Sequence, residues 1–470
     1  MEKFFKLSER GTTVRTEIVA GITTFMAMAY ILMVNPGMFS DLGTVSYGAV
    51  YIATALSAIV GTVLIGLLAN LPLAQATGMG LNAFFVYTVC FGLGFSYANA
   101  LLFVLVDGIL FILLTVTGLR RIIFNAVPAP VKAAIPAGIG LFIAFLGFQD
   151  AGLVVNDSAT CVNLASFNLL GGATWGTIMP LLITLAALIG TAVLSKKGVK
   201  GAILIAIVGA ACLYYILGFT VPGFYTGFLD GVSMNPLTAF KSFADDSFLK
   251  VFTQGFDFSA YLAVDGHTVG SLVVAFVTTA LAFCMVDMFD TMGTLYGACR
   301  GGGLLIKNER GEDEVPNMNR AMLADAIATC TGAVCGTSTV TTFVESSSGV
   351  AAGGRTGLAA VVTGVMFFIA MFLSPIAALI PSCAYAAALI YVGILMIGCV
   401  KDIDWSDPAV ALPSFLTITM MPFTYNISYG IAFGLISYIC VKVFTGKVKE
   451  VNAGTWVIAI LFAAMFFLTH

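Results

Sequence analysis

Long apolar runs separated by short polar connections dominate the chain, and their length predicts its elements. A helix needs about 20 apolar residues to cross a bilayer. By that ruler, helices are predicted near residues 17–36, 48–70, 72–91, 97–118, 131–150, 177–195, 201–218, 269–298, 319–335, 337–352, 356–380, 384–400, 407–424 and 427–444. Fourteen spans result, followed by an apolar stretch at 454–469 whose course the pattern leaves open: it crosses, lies in the interface, or completes a broken span. A β-barrel would instead alternate polar and apolar residues in segments of about ten. The fold class expected is an all-α polytopic membrane protein.

The basic residues test this map independently. Lys3, Lys6, Arg10 and Arg15 precede span 1, Arg120, Arg121 and Lys132 flank the connection between spans 4 and 5, and Lys196, Lys197 and Lys200 fill that between spans 6 and 7. Arg300, Lys307, Arg310 and Arg320 lie between spans 8 and 9, Arg355 between 10 and 11, Lys401 after 12, and Lys442, Lys447 and Lys449 after 14. Alternating crossings put 19 of the 21 basic residues on one side, leaving Lys241 and Lys250 in the long loop between spans 7 and 8. By the positive-inside rule that side is cytoplasmic, and the N-terminus with it. The expectation is a multi-pass protein of the plasma (inner) membrane without a cleavable signal peptide.

Composition agrees: 59% of residues are hydrophobic and 10% charged, with a mean hydropathy of +1.02. A soluble domain carries about 25% charged residues. The ten cysteines are scattered without a C-x-x-C, which predicts packing residues and not metal ligands or disulfides. His267 falls in a predicted outer loop and His470 ends the chain, so neither suits a buried relay. Trp175, Trp405 and Trp456 stand at span edges, as interface anchors do. The stretch from Glu309 to Glu314 is a solvated loop, and Gly301-Gly302-Gly303 lacks the Lys-Ser/Thr of a phosphate-binding loop, so ATP drive is not supported. No cofactor, no nucleic-acid partner and no enzymatic activity are expected.

The two halves echo each other. Val127-Pro128 opens span 5 as Ile380-Pro381 opens span 12, the stretch from Asp107 to Phe111 matches that from Thr363 to Phe367, and Thr23-Thr24 matches Thr278-Thr279. These offsets cluster at 253 to 256 residues. Seven spans per repeat is odd, so the halves are inverted across the membrane, a signature of secondary transporters. Spans 3 and 10 occupy matching places and look broken. Leu71-Pro72-Leu73-Ala74-Gln75-Ala76-Thr77-Gly78 and Gly336-Thr337-Ser338-Thr339-Val340-Thr341-Thr342 make poor helix, predicting short extended segments that lead into half-helices. The half-helix N-termini would present N–H donors to a ligand.

Three acids stand in this apolar setting without a Lys or Arg in their segments: Asp287 and Asp290, three apart on one helix face, and Glu345 at the start of the span 10 half-helix. A carboxylate at the bilayer centre costs about 2.5–3.5 kcal/mol on insertion scales. Such acids must be protonated, hydrogen-bonded, or ready for a cation or a donor-rich ligand. The competing reading is that they only bind Ser and Thr neighbours and hold the bundle together. Asp107 and Asp325 are expected to be structural in that sense. Gln75 and Asn82 around the break in span 3, and Phe343 beside Glu345, read equally well as packing or ligand groups.

Four segments in order resemble the AzgA-like purine permeases, within the nucleobase–cation symporter and nucleobase–ascorbate transporter superfamily. They are Glu17 to Pro36, Gly78 to Phe85, Asp287 to Thr294, and Glu345 to Val350 followed by Gly354-Arg355-Thr356-Gly357-Leu358. The resemblance, from about Phe4 to Phe444, implies fourteen spans in a seven-plus-seven inverted repeat. It implies a core domain of spans 1–4 (14–122) and 8–11 (269–380) moving against a gate domain of spans 5–7 (127–220) and 12–14 (381–446), with an outer loop at 221–268 and a tail at 447–470. It also implies proton-coupled uptake of adenine, guanine or hypoxanthine, with Glu345 and Asp287 or Asp290 facing the base and Asn82 lining the same cavity. Relatives that carry uracil have a Glu and a His in span 8. Two Asp and no His stand here, so a histidine relay does not transfer.

On that likeness the expected site comprises Glu345, Asp287, Asp290, Asn82, Gln75, Ala76, Thr77, Phe343, Val344 and Ser346. Glu345 would anchor the ring, the Asp287/Asp290 pair would share anchoring and proton duty, and Phe343 would stack. Backbone N–H groups at Ala76–Gly78 and Val344–Ser346 would meet acceptor atoms. The coupling ion is expected to be H+, with Na+ as the alternative, and a homodimer is the assembly considered beside the lipid bilayer. Three rivals stay open: an anion carrier of the same fold, which acids at the site disfavour, a channel, and an intramembrane enzyme. Asp287 and Asp290 share one helix, whereas membrane aspartyl proteases draw their carboxylates from two.

Overall fold

A computed structural model describes residues 2–118, 126–221, 224, 235–264, 267–301, 303–307 and 313–468. Arg120, Arg121, Arg310, His470 and the acidic loop around Glu309 and Glu312 lie outside the described residues. Among the described residues, nine helices are long and apolar enough to cross a membrane, and shorter apolar helices complete the order.

Span 1 is Val14–Met28 followed by Ile31–Ser40, interrupted at Ala29 and Tyr30. Span 2 is Tyr47–Leu68, span 4 Tyr97–Thr117, span 5 Ala129–Asp150, span 6 Trp175–Lys196 and span 7 Ala202–Thr220. In the second half, span 8 is Val269–Gly301, span 9 Met318–Cys335, span 11 Gly357–Met371, span 12 Ser382–Ile397, span 13 Pro408–Thr424 and span 14 Ile427–Phe444. Local chemistry sets the starts: Ser46 accepts from the Ala49 N–H, Ser96 and Asn99 form a capping box, and Asn426 accepts from the Tyr429 N–H.

The tail resolves into a helix, Ala453–Leu468, that packs against spans 8 and 14. Its Phe466 ring stands 5.2 Å from Tyr429 and 5.4 Å from Phe433. Sixteen residues rise about 24 Å, short of the roughly 30 Å hydrocarbon core.

Spans 3 and 10 contain the expected extended segments, and the two meet. Gln75–Thr77 runs into a helical turn at Met79–Ala83 that widens into a π-helix at Phe84–Gly92. Val340–Thr342 precedes the short helix Ser346–Ala351. The strands pair antiparallel, with Gln75 opposite Thr342, Ala76 opposite Thr341 and Thr77 opposite Val340. The Gly78 N–H donating to Thr339 O and the Phe343 N–H donating to Ala74 O, both at 3.0 Å, extend the ladder.

A two-stranded sheet has two outer edges, and unpaired backbone groups buried there would cost several kcal/mol each. One threonine serves each edge. The Thr62 hydroxyl in span 2 bonds both the N–H and the C=O of Gln75, each at 2.9 Å. Thr329 in span 9 does the same for Val340, at 3.2 and 3.0 Å.

The helices pack in two groups. Span 5 packs on spans 12 and 13, with span 6 on 7 and 12, while spans 2, 9 and 11 pack together with 1 and 4. Glycines permit the closest crossings. A Cβ on Gly357 of span 11 would lie 1.9 Å from Gly66 O of span 2, and one on Gly393 of span 12 would lie 2.4 Å from Gly140 O of span 5. Gly140 and Gly393 are 253 positions apart, the offset of the repeat.

Candidate functional site

A cavity of about 590 Å³ lies where the strand pair and span 8 face spans 5 and 12. That volume is in the range of small-molecule sites. Span 10 brings Phe343, Val344 and Glu345 to it, because the chain leaves the strand after Thr342 and turns before the short helix begins at Ser346. Span 8 brings Asp290 and Thr294, a helical turn apart on one face. Span 3 contributes Gly78, Met79 and Gly80, the first residues of its helix. Ile143 of span 5 and Tyr391, Val392, Leu395 and Met396 of span 12 form the opposite wall. The connection between spans 6 and 7, including Ser195, Gly198 and Lys200, also lines the cavity.

Glu345 and Asp290 are both half-buried, as groups bordering a cavity are. The Tyr30 hydroxyl donates to Glu345 Oε1 at 2.6 Å, a charge-assisted length. The Phe343 ring is tilted against Tyr30 with centroids 6.5 Å apart. Asp290 Oδ2 lies over Gly78, 3.6 Å from where a Cβ would be, an ordinary contact distance, while Thr341 Cγ2 at 2.7 Å is the atom such a Cβ would press against.

The structure thus brings four of the expected residues to the cavity: Glu345, Asp290, Phe343 and Val344. It places the other six elsewhere. Asp287 is fully buried and turned to span 9, its Oδ2 accepting from the Thr329 hydroxyl at 3.4 Å. Gln75 donates through Nε2 to Asp325 Oδ1 at 3.0 Å and to Thr342 Oγ1 at 3.2 Å. Asn82 is fully buried and accepts from the Ser338 hydroxyl at Oδ1. Ala76 and Thr77 are buried in the strand, and the Ser346 hydroxyl accepts from the Ala74 N–H at 3.0 Å.

The expected backbone donors need the same correction. Gly78 N–H is committed to Thr339 O, and Ser346 N–H to Phe343 O at 3.1 Å. The strand ladder takes up the Gly78 N–H and a turn after the strand takes up that of Ser346, groups that an isolated extended segment would have left free.

Tyr30 and the span 12 residues were missed. Tyr30 stands in the quoted opening motif, and its signal is a hydroxyl in an apolar run five residues before Asn35-Pro36. In span 12 only Tyr391 carries that signal, and the rest of its cavity face is apolar. Among the described residues no group of three or more His, Cys, Asp or Glu is arranged to hold a metal ion.

Comparison with known proteins agrees with this architecture. The transmembrane domain of the cyanobacterial bicarbonate transporter BicA superposes with a TM-score of 0.58 at 15% identity, covering 88% of this chain and 97% of that one, a likeness of fold alone. The putative permease MJ0326 of Methanocaldococcus jannaschii is 41% identical over 99% of this chain and 98% of its own length. The guanine/hypoxanthine permease PbuG of Bacillus subtilis is 39% identical, covering 98% and 99%, and the adenine permease AdeP of Escherichia coli is 36% identical, covering 98% and 95%. A family model described as "Permease family" matches residues 15–433. With most of its length matched and full-length relatives above 30% identity, this chain is a multi-pass membrane protein that belongs to the Permease family.

Proposed function

We propose that the protein imports purine nucleobases, adenine, guanine or hypoxanthine, together with a proton. The observation that carries this reading is the convergence of Glu345 and Asp290 on one cavity beside the Phe343 ring. A purine offers ring N–H and exocyclic amine donors, and two carboxyls are the acceptors such donors need. Tyr30 occupies Oε1 of Glu345, which orients the other oxygen for cargo. Met79 and Gly80, at the start of the short helix, border the cavity, and backbone N–H groups there would suit the ring's acceptor nitrogens. The names carried by AdeP and PbuG support the same substrate class.

Spans 1–4 and 8–11 act in this reading as the moving core, spans 5–7 and 12–14 as the fixed gate, and the cavity between them carries the cargo by an elevator motion. The cavity reaches the connection that holds Lys200, which the positive-inside rule puts on the cytoplasmic side, so in this reading the conformation is inward-facing. The acids argue against an anion as cargo, although the fold is shared with a bicarbonate transporter.

Uptake of radiolabelled adenine, guanine and hypoxanthine into proteoliposomes tests the proposal. Saturable uptake of at least one purine, raised several-fold by an inward proton gradient, is expected. A response to a sodium gradient and none to a proton gradient would replace the coupling ion, and no purine uptake at all would reject the substrate class.

A further inference from the structure

Behind the cavity, where spans 4, 8 and 9 meet, Asp107, Asp287 and Asp325 share one fully buried region. The protein serves them unequally. Asp325 accepts from Gln75 Nε2 at 3.0 Å and from the Thr291 hydroxyl at 2.7 Å, so both of its oxygens are served. Asp287 receives only the 3.4 Å contact from Thr329 at Oδ2, and its Oδ1 has no partner. Asp107 has no donor at either oxygen. The titratable groups that interact with Asp107 are Asp287 and Cys284 from span 8 and Asp325 and Cys330 from span 9, none of them a cation.

A carboxylate with neither donor nor counter-charge is far too costly to keep in such a place. A proton removes both deficits together. Protonated Asp107 has an O–H to give, and Asp287 Oδ1 is a bare acceptor in the same region. A metal ion would demand several ligands around one point, and the acids are not so arranged.

We propose that Asp107 and Asp287 form a proton-binding site in the body of the protein, separate from the cavity carboxyls and reached from the cavity through Asp290. Asp290 lines the cavity and lies one helical turn from Asp287. The inference rests on the symport reading and gives the coupled proton a place. The geometry also supplies a readout. The Thr329 hydroxyl has one hydrogen and two acceptors, Asp287 Oδ2 at 3.4 Å and Val340 O at 3.0 Å. With a proton on the pair, that hydrogen goes to Val340 and ties down the strand that leads to Glu345. With the proton gone, Asp287 competes for it and the strand edge loosens.

Infrared difference spectra of the purified protein in lipid, taken between acidic and alkaline pH without cargo, test the site. The wild type is expected to show a carboxylic C=O band that Asp107→Asn and Asp287→Asn remove and Asp325→Asn retains. In proteoliposomes, purine accumulation driven by a proton gradient should fall at least tenfold in Asp107→Asn, while purine counterflow falls less than threefold. Asp107→Glu, which keeps a carboxyl, should restore both band and accumulation, and this separates lost proton binding from misfolding. An undiminished band in Asp107→Asn, or accumulation equal to the wild type, overturns the site. Failure of the symport reading looks different, because the wild type itself would then ignore the proton gradient, and the infrared band alone would decide.

Discussion

The Tyr30 hydroxyl donates to Glu345 Oε1 across 2.6 Å, joining the break in span 1 to the end of the span 10 strand. At both places the membrane-spanning backbone departs from helix next to the cavity, and one hydrogen bond links them. A hydrogen bond to a charged group contributes about 1.5–3 kcal/mol net. Tyr30→Phe is therefore expected to raise the KM for purine roughly tenfold or more, since about 1.4 kcal/mol is a factor of ten. Initial-rate uptake at matched membrane abundance measures it, and an unchanged KM would show that the bond does not orient Glu345.

Glu345→Gln is the sharper substitution. The amide still accepts from Tyr30 but replaces a charged acceptor with a group that also donates, facing a cargo whose own edge is rich in donors. Uptake should be abolished or severely impaired while the protein still reaches the membrane. Full activity would remove Glu345 from the mechanism.

Glu17 stands in the opening motif yet far from the cavity's acids in role. Its carboxylate accepts from the backbone N–H groups of Arg355 at 2.8 Å, Thr356 at 3.3 Å and Ala359 at 3.2 Å, capping the start of span 11 from span 1. An anionic cap of this kind is worth about 0.5–2 kcal/mol. Glu17→Ala should lower the melting temperature in detergent and the amount of folded protein, with the purine KM of the surviving fraction close to wild type. A large KM change at normal stability would contradict a capping role.

Much of this architecture was legible in the residues, and the reasons are particular. Span lengths follow from bilayer thickness, so Tyr47–Leu68 and Ile427–Phe444 fall within a residue or two of expectation at most ends. The breaks in spans 3 and 10 were legible because Leu71-Pro72 and the run from Thr337 to Thr342 cannot make good helix. Which side chains enter the cavity was not. Asp287 and Asp290 share a helix face to within one turn, but only tertiary packing decides that Asp290 meets the cavity and Asp287 meets Thr329. The sequence shows Gln75 and Asn82 as polar residues in an apolar setting but not their partners Asp325 and Ser338, 250 and 256 residues away.

Packing glycines give a prediction with its own control. A methyl group on Gly357 would lie 1.9 Å from Gly66 O, against backbone that cannot swing aside, whereas one on Gly293 in span 8 meets nothing within 4 Å. Gly357→Ala should reduce folded protein several-fold, through overpacking that typically costs about 1–3 kcal/mol. Gly293→Ala should be neutral or slightly stabilising as a helix-former replaces glycine. Fluorescence-detected size exclusion of the two variants side by side measures it, and equal yields would mean that spans 2 and 11 separate without penalty.

The threonine clasp on the strand pair is open to the same kind of comparison. Thr62 holds both backbone groups of Gln75, and with its hydroxyl removed an N–H and a C=O are left buried without partners. Each such group costs about 1–3 kcal/mol. Thr62→Val keeps shape and loses both bonds, while Thr62→Ser keeps both bonds and leaves a small void. If the hydroxyl matters, the serine variant retains stability and purine affinity and the valine variant loses them, because the strand carries the backbone to the cavity. If shape matters, the order reverses. Thermal stability and purine KM of both variants decide between the two, and a valine variant as stable as the serine one would show that water serves the strand edge in place of the side chain.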